Sequence, residues 1–361
     1  MSARVLVAAP FPPPPTGQSL MTALSAEALE ASAHVTRLDT ADHRVVWRRP
    51  GALPGRRVLR WAAMAAALRR AVSDADVVYI TPASSLLGFL RDVLVVSMIP
   101  RRTPVVAHVH VGDYGEHLRR RGRPARRLAQ RFDRTILPSV YAADAVREVL
   151  PDADVRVVAN TVRPGLRFTP GEVDAAWTAR HNERPLVLFL SNMIPSKGYE
   201  LLAEALSHLQ HEADAVLAGA WADPADRDRF EASLRDRGVQ ATVTGAVSAD
   251  ETRRLLERAS VLAFPSTYPH ESLPLAVLEA KAAGCAVVAL DHAGVGEMVR
   301  DGVDGMLVPR PDAEAFARAL DAALDRAEPL GRAGAAHVRE RFAPADFERQ
   351  IVEAVLGRPS G

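Results

Sequence analysis

The sequence predicts an α/β protein built from two Rossmann-like, doubly wound domains that face each other across a cleft. Short apolar runs alternate with helical patterns along the chain, as expected for parallel strands covered by helices on both faces. The alternation is interrupted once, between residues 160 and 185, where prolines and glycines cluster and a linker is predicted. A length of 361 residues is also long for one core and suits two domains.

Residues 1–165 are predicted to form the first domain. Its predicted strands are Val5–Ala9, Val77–Ile80, Val105–Val109, Thr135–Leu137 and Val155–Val158. The predicted helices lie at about 17–31, 58–73, 84–98, 116–131 and 140–150. Arg91 and Asp92 interrupt the apolar segment Leu86–Ile99, so we interpret that segment as a buried helix and not as a membrane span.

Residues 180–342 are predicted to form the second domain. Its predicted strands are Leu186–Leu190, Ala215–Ala218, Ala241–Thr244, Val261–Phe264, Ala286–Leu290 and Met306–Val308. A last helix, Pro344–Leu356, lies in the remaining segment 343–361 and has no strand after it. Ligands of such sheets bind beyond the carboxyl ends of the strands, so the functional residues are expected in the loops that follow the strands.

The two halves of the chain differ in charge. Residues 1–165 contain 24 Arg against 14 Asp plus Glu, and the remainder has a net charge of −9. Eight of these arginines lie in His117–Arg134. They would contact a phosphorylated acceptor or an anionic membrane surface, with a solvated surface helix as an equal alternative. Nucleic acid is disfavoured as a partner, because the segment lacks the interleaved aromatic residues of single-strand binders. The arginines assigned to this surface are Arg119, Arg120, Arg121, Arg126 and Arg127.

The single cysteine and the amino-terminal residues indicate the cellular compartment of the protein. A single cysteine, Cys285, excludes an internal disulfide and a cysteine-based zinc cluster. The opening residues MSARVLVAAPFPP are interpreted as a first strand and not as a signal peptide. We therefore predict a cytoplasmic protein, with peripheral contact to the inner face of the membrane as an option.

The most informative segment follows the strand Val261–Phe264. A loop reaches Glu271 and Ser272, and a helical spacing of apolar residues begins at Leu273. Ser272 is predicted to cap this helix and Pro274 to lie in its first turn. The unpaired N–H groups of such a helix start form an anion site that suits a diphosphate.

A second glutamate, Glu279, lies eight residues beyond the first. Two such glutamates also occur by chance in charged helices. In this context, however, they resemble the E-x7-E signature of retaining nucleotide-sugar glycosyltransferases of family 4. The residues that carry the resemblance are Pro265-Ser266, Glu271, Pro274-Leu275, Glu279-Ala280, Gly284–Val288, Gly294–Val299 and Asp301–Gly305.

The resemblance is specific across residues 186–310 and looser before them. It implies the GT-B arrangement, with a nucleotide diphosphate sugar in the second domain and the acceptor in the basic first domain. It also implies that the carboxyl-terminal helix returns to the first domain. The implied reaction moves a sugar to a glycan, lipid-linked or small-molecule acceptor.

Three residues are assigned to the reaction itself. The resemblance implies that Glu271 contacts the sugar near the reacting carbon. Lys197, in a loop between a strand and a helix, would neutralise the departing diphosphate. Because the chain has 43 arginines and only two lysines, a compact ammonium group is expected to be needed at Lys197, whereas Lys281 is expected to be exposed. His108 and His110 alternate onto one face of their strand and are interpreted as core histidines. A metal site is the disfavoured alternative, because the sequence places no third ligand beside them. The resemblance assigns His110 to the donor sugar.

The remaining assignments concern donor binding. The resemblance implies that Glu279 holds the ribose hydroxyls and that Ser272, Leu273 and Leu275 offer backbone amides to phosphate and sugar. Asn192 stands where the family usually has arginine, which removes one phosphate clamp. Gly245 ends a strand where the family's backbone contacts the base, and an ordinary turn is an equal alternative.

The first loop and the acidic pairs complete the expectations. The loop Pro10–Leu20 has a single glycine, Gly17, and so lacks the dinucleotide fingerprint; it resembles the shortened glycine loop of family 4, and a helix is expected to begin near Ser19. Asp74-x-Asp76 and Asp152-x-Asp154 precede strands and are interpreted as turns. We predict neither a metal nor a cofactor beyond the nucleotide diphosphate sugar. The alternatives are an epimerase using His110 with Glu271, or a non-catalytic nucleotide-sugar-binding protein.

Overall fold

A computed structural model of the chain describes residues 2–13, 15–40 and 66–357. These residues form two compact units. The first combines the described residues of Met1–Asn160 with those of Pro344–Gly361, and the second is Thr161–Ala343.

The first unit contains a parallel sheet with the strand order β2-β1-β3-β4-β5-β6. Its strands are β1 Arg4–Ala9, β2 His34–Asp39, β3 Val77–Ile80, β4 Val105–His108, β5 Arg134–Leu137 and β6 Val155–Val157. The predicted strands are present. The edge strand β2 was not predicted, because its sequence HVTRLD contains no fully buried residue and so lacks an apolar run.

The helices of this unit are α1 Gly17–Glu30, α2 at 66–72, α3 Leu86–Ser97, α4 Tyr114–Arg121, α5 Arg123–Ala129, α6 Val140–Arg147 and the carboxyl-terminal Pro344–Leu356. The part of the predicted helix 58–73 before residue 66 lies outside the described residues. The single helix predicted at 116–131 is wrong, since Gly122 adopts a φ of 64° and divides it into α4 and α5. The carboxyl-terminal helix packs against α1, and Arg134 donates to the Ala354 carbonyl oxygen at 2.6 Å.

The helix α3 differs from its prediction in burial. Its inner face is buried in the core of the first unit through Phe89, Val95 and Val96. Four large apolar side chains on the same helix are exposed, at Leu86, Leu87, Leu90 and Val93. The expectation of a buried helix is therefore wrong for half of its surface. Within the described ranges, no helix is both long enough and apolar enough to cross a membrane.

The second unit contains a parallel sheet with the strand order β12-β11-β10-β7-β8-β9. Its strands are β7 Leu186–Leu190, β8 Asp214–Ala218, β9 Thr242–Gly245, β10 Val261–Phe264, β11 Ala286–Leu290 and β12 Met306–Val308. The chain moves from β7 to β8 and β9 on one side, then to β10 on the other side of β7. The topological switch point, where such sheets bind ligands, thus lies between β7 and β10.

The helices of the second unit are α7 Pro170–Arg180, α8 Tyr199–Ser207, α9 Pro224–Asp236, α10 Ala249–Arg258, α11 Leu275–Ala282, α12 Ala313–Leu324 and α13 Ala327–Arg341. Helix α7 lies where the sequence indicated a linker. Thr169 and Glu172 form a capping box at its start, and this pattern was available in the sequence. Trp177 donates to the Gly284 carbonyl oxygen at 3.0 Å, which attaches α7 to the turn between α11 and β11.

Candidate functional site

The loops that follow β7 and β10 are joined at the switch point. The backbone N–H of Thr267 donates to the Ser196 carbonyl oxygen at 2.8 Å. Gly198 adopts a φ of 83°, and a Cβ at this residue would lie 2.0 Å from the Pro265 carbonyl oxygen. Only glycine combines this left-handed backbone with so close an approach, so the two loops hold a fixed separation.

This junction brings Lys197 and Glu271 together. The Lys197 ammonium contacts Oε1 of Glu271, and the two side chains are 15% and 7% exposed. The Ser266 hydroxyl donates to the same carboxylate oxygen at 3.0 Å, and the ammonium lies 4.3 Å from the centroid of the Tyr268 ring. Each charge offsets the desolvation of the other, so an anionic ligand that approaches Lys197 competes with a carboxylate already in place.

The loop that carries Glu271 is held by its own hydrogen bonds. The Glu271 N–H donates to the Tyr268 carbonyl oxygen at 3.0 Å, and the Tyr268 N–H donates to the Ser266 hydroxyl at 3.2 Å. The Tyr268 carbonyl oxygen also lies 3.0 Å from Nε2 of His292, just after β11. Sequence reasoning assigned no role to Ser266, Tyr268 or His292, since their contacts arise only when the loops fold together.

The start of α11 differs from the prediction. The helix begins at Leu275, with Pro274 as the residue before it and no side-chain cap. The expectation that Ser272 caps this helix is therefore wrong. A residue that precedes proline is driven out of the helical region, so Leu273 cannot belong to the first turn. Ser272 and Leu273 lie in the buried loop before the helix, and Leu275 provides its first backbone amide.

Glu279 lies inside the second unit and is 2% exposed. Nη2 of Arg163 donates to its Oε2 at 2.8 Å, and Nε of the same guanidinium contacts Oε1. Burial raises the pKa of Glu279, and the hydrogen bonds and charge of Arg163 oppose that rise. Sequence reasoning missed Arg163, because the two residues lie 116 positions apart.

Asn192 and Gly245 lie at the same carboxyl edge of the sheet. The Gly219 N–H, just after β8, donates to the Gly245 carbonyl oxygen at 2.8 Å. A Cβ on Gly219 would lie 1.7 Å from the Ser191 carbonyl oxygen, so the loops after β7, β8 and β9 are in close contact. The predicted donor-binding residues of the second unit therefore share one edge.

Lys281 is not exposed, and that prediction is wrong. Its side chain is 1% exposed, and Nζ lies 2.9 Å from Oδ1 of Asp304. Nζ also lies 3.0 Å from Nδ1 of His337 and contacts the Met298 carbonyl oxygen. Burial lowers the pKa of Lys281, and Asp304 opposes that change. Helix α11 buries every residue from Val277 to Ala282, so it has no outer face at this position.

In the first unit, His108 and His110 share one face at the end of β4, as predicted. Their ring centroids are 4.0 Å apart, and the Tyr79 hydroxyl lies 2.6 Å from Nδ1 of His108. Burial lowers the pKa of His110 to about 3, so its imidazole is neutral near pH 7. Burial, followed by the neighbouring His110, also lowers the pKa of His108. The described residues contain no group of three or more His, Cys, Asp or Glu side chains placed to hold a metal ion.

Gly17 lies in the first turn of α1, where a Cβ would meet nothing within 4 Å. The helix begins earlier than expected, with Thr16 as its cap and Ser19 completing a capping box. Gly17 is exposed, and because no atom lies near the position of a Cβ, there is open space beside it at the carboxyl end of β1.

The five predicted surface arginines have different surroundings. Arg119 pairs with Glu116 and Glu148. Arg121 donates to Nδ1 of His117 at 3.4 Å, and its guanidinium lies 5.3 Å from the Phe89 ring centroid. The other three, Arg120, Arg126 and Arg127, are exposed.

The pairs Asp74-x-Asp76 and Asp152-x-Asp154 have structural partners. Asp76 forms an ion pair with Arg4, and Asp154 forms ion pairs with Arg134 and Arg156.

Family models match both halves of the chain. Residues 3–165 match Glycosyltransferase Family 4, and residues 174–337 match Glycosyl transferases group 1. The lipopolysaccharide core biosynthesis glycosyltransferase LpsE of Rhizobium meliloti is 30% identical over 50% of this chain and 50% of its own. The D-inositol 3-phosphate glycosyltransferase of Xylanimonas cellulosilytica is 36% identical over 51% of this chain and 46% of its own. The chain thus spans about half the length of the curated relatives it matches.

Solved structures share the fold over nearly the whole chain. Sucrose-phosphate synthase from Thermosynechococcus elongatus has a TM-score of 0.77 at 19% identity and covers 98% of both chains. HepE of Anabaena, in complex with UDP and glucose, has a TM-score of 0.74 at 18% identity and covers 97% of this chain and 98% of its own. The predicted fold of two Rossmann-like domains is confirmed.

Proposed function

We propose that this chain, a GT-B protein whose two halves match family 4 and group 1 glycosyltransferase models, transfers a sugar from a nucleotide diphosphate sugar with retention of configuration. The observation that carries the proposal is the contact between Lys197 and Glu271 at the switch point of the second sheet. A cation and a carboxylate meet there at the edge where α/β sheets bind their ligands.

Lys197 and Glu271 suit the two parts of the donor that separate in the reaction, the diphosphate and the sugar. The bond between the anomeric carbon and the diphosphate oxygen breaks, so negative charge builds up on the departing diphosphate. Lys197 would exchange Glu271 for the diphosphate and stabilise that charge where it forms. Glu271, held by Ser266, would then face the sugar beside the anomeric carbon. The acceptor oxygen would bond to this carbon, and its proton would pass to the departing phosphate oxygen.

Donor binding would use the start of α11 and the carboxylate of Glu279. A carboxylate accepts hydrogen bonds from two ribose hydroxyls at once. The amides of Ser272, Leu273 and Leu275 would bind phosphate and sugar, whereas Pro274 has no N–H to offer. Asn192 and Gly245 would complete the donor site from the ends of β7 and β9.

In the basic first unit we assign His110 to the donor sugar and Gly17 to the approach of donor phosphate and acceptor. Because burial keeps His110 neutral, it would act as a hydrogen-bonding group and not as a cation. The acceptor would be a glycan, a lipid-linked sugar or a small molecule, bound in a cytoplasmic setting. Transfer would be independent of metal, since Lys197 supplies the charge opposite the diphosphate.

The relatives support a nucleotide diphosphate donor. HepE has been solved with UDP and glucose, and the matched family models describe glycosyltransferases. These matches favour transfer over the epimerase and over the non-catalytic binding protein, since both family models describe enzymes that transfer sugars.

The test starts from a thermal-shift panel of nucleotide diphosphate sugars. We expect one donor to raise the melting temperature most and to support turnover with an acceptor. Proton NMR of the product formed from that donor should then show the anomeric configuration of the donor. A product of inverted configuration would contradict the retaining mechanism, and a panel without any binding donor would contradict the proposal as a whole.

A further inference from the structure

The outward face of α3 is apolar. Leu86, Leu87, Leu90 and Val93 are 56%, 48%, 46% and 40% exposed. Their spacing places them on one stripe of the helix, opposite the face that packs into the core. Of the seven large apolar side chains exposed in the described part of the chain, four belong to this stripe. We call these four residues the α3 stripe.

Exposed arginines lie on the neighbouring helices α4 and α5. Ala125 and Ala129 bury the inner face of α5. Arg123, Arg126 and Arg127 point away from it and are exposed, as is Arg120 on α4. None of these four arginines, hereafter the arginine cluster, forms an ion pair with another described residue.

The stripe and the cluster belong to the same layer of helices. Helix α3 connects β3 to β4, and α4 with α5 connects β4 to β5, so both crossovers run in the same direction across the sheet. Right-handed crossovers in one direction place their helices on one face of the sheet. The two connections also touch, since the guanidinium of Arg121 on α4 lies 5.3 Å from the Phe89 ring centroid on α3. Both outward faces therefore look to the same side of the first unit.

We propose that the α3 stripe and the arginine cluster together bind the surface of an anionic lipid bilayer. The leucines would enter the boundary between headgroups and acyl chains, as the apolar face of an interfacial helix does. The guanidinium groups would bind the headgroup phosphates with paired hydrogen bonds. The α3 stripe alone or the arginine cluster alone would give weak, reversible binding, whereas the two together would hold the protein at the bilayer surface.

The charge of the cluster favours lipid over a second copy of the chain. A two-fold symmetric contact through the α3 stripe brings the same surface of each copy together. The arginine cluster of one copy would then approach the arginine cluster of the other, and such like-charge contacts are costly. An anionic bilayer instead matches both the apolar and the basic part of the surface.

The experiment is flotation of the full chain with vesicles of phosphatidylcholine alone and of phosphatidylcholine with phosphatidylglycerol. We expect wild type to bind only the anionic vesicles and to dissociate as salt is raised. The Arg123→Gln/Arg126→Gln/Arg127→Gln variant should bind roughly 100-fold more weakly at low ionic strength. The Leu86→Ser/Leu87→Ser/Leu90→Ser variant should lose at least about tenfold.

Matched controls come from the second unit. Arg235, Arg310 and Arg339 are exposed there, and their replacement by Gln makes the same change in net charge. Val303, which is 51% exposed, provides an apolar control through Val303→Ser. Both controls should bind like wild type. Thermal melting of each variant checks folding, and since the changed side chains are exposed, the melting temperatures should agree.

Several results would overturn the proposal. These are equal binding to neutral vesicles, no binding by wild type, or an equal loss in the charge control. A wild-type dimer that becomes monomeric in the leucine variant, seen by light scattering, would assign the stripe to self-association instead. Nucleotide binding plays no part in these measurements, so their failure would leave the transfer proposal untouched.

Discussion

The chain's two lysines, Lys197 and Lys281, form the same kind of ion pair in two different surroundings. Both belong to the second unit and both contact a carboxylate. The Lys197 side chain is 15% exposed, at the edge where the strands end, whereas that of Lys281 is 1% exposed beneath α11. The two lysines therefore differ in access and not in residue type. Only an ammonium group that a second partner can reach, such as that of Lys197, is suited to bind a ligand.

Lysine is suited to the buried position by its shape. Its ammonium has three N–H donors and reaches three partners there, namely Asp304, His337 and the Met298 carbonyl oxygen. Gly334 packs beside this side chain, where a Cβ would lie 3.4 Å from the Lys281 Cε, an ordinary van der Waals contact. A planar guanidinium presents its donors in a flat fork and would not fit these three directions.

The largest expected effect is on stability, at Lys281. The change Lys281→Met leaves Asp304 buried, with Arg300 and His337 as its remaining partners among the described residues. Removing one partner of a buried pair costs about 3–5 kcal/mol of the free energy of unfolding. Urea unfolding of wild type and variant measures this difference. The Lys281→Met/Asp304→Asn variant is the control and should recover part of the loss, while a loss below about 1 kcal/mol in the single variant would contradict the assigned role.

The next effect is on catalysis, at Lys197. The change Lys197→Ala should lower kcat/KM by about 100-fold or more, since the charge on the departing diphosphate loses its counter-charge. Stability should change less than at Lys281, because Glu271 keeps the Ser266 hydroxyl and its side chain is 7% exposed, whereas that of Asp304 is 0% exposed. Lys197→Arg should restore only part of the rate. Unchanged steady-state kinetics in both variants would remove Lys197 from the reaction.

A smaller effect is expected at the pair of Glu279 and Arg163. Burial raises the pKa of Glu279 and Arg163 opposes the rise, so Arg163→Gln should raise this pKa further. Only the ionised carboxylate accepts both ribose hydroxyls, so nucleotide affinity of the variant should fall as the pH is lowered through the range in which both proteins stay folded. Wild type should change less over this range, and Glu279→Gln should be weak and independent of pH. Calorimetric titration at several pH values measures this, and equal pH dependence in wild type and Arg163→Gln would break the assignment.

The smallest effect is expected from chelation. Lys197 and the start of α11 would balance the diphosphate without a divalent cation, so turnover should survive excess EDTA. Rates with and without the chelator, measured on the same preparation, provide the comparison. Full loss of activity that Mg²⁺ or Mn²⁺ restores would show that Lys197 is not a sufficient counter-charge.

The strands that bury apolar runs were predictable from sequence, and the polar edge strand β2 was not. The start of α11 was misplaced by two signals that compete locally. Ser272 is a good cap by type, but Pro274 prevents Leu273 from being helical. The capping box of α7 was present in the sequence and was outweighed by the prolines and glycines around it.

The residues that form the ion pairs could be predicted from sequence only in part. Glu271, Glu279 and Lys197 stand out by motif and by scarcity of lysine. Arg163, the partner of Glu279, does not, because it is one arginine among 43. Asp304 belongs to the segment Asp301–Gly305 that carries the resemblance, but no sequence pattern pairs it with Lys281. Contacts between residues far apart in sequence are decided by how the loops and helices pack, and a local pattern carries no record of them.

The most direct test of the account is calorimetric titration of the nucleoside diphosphate of the donor into wild type, Lys197→Ala and Lys281→Met. The account predicts that wild type and Lys281→Met bind with similar affinity, while Lys197→Ala binds at least about tenfold more weakly, because only the accessible ammonium can exchange its carboxylate for a phosphate. Urea unfolding and thermal melting identify the conditions in which all three proteins are folded. Equal affinity in wild type and Lys197→Ala, under those conditions, would contradict the account.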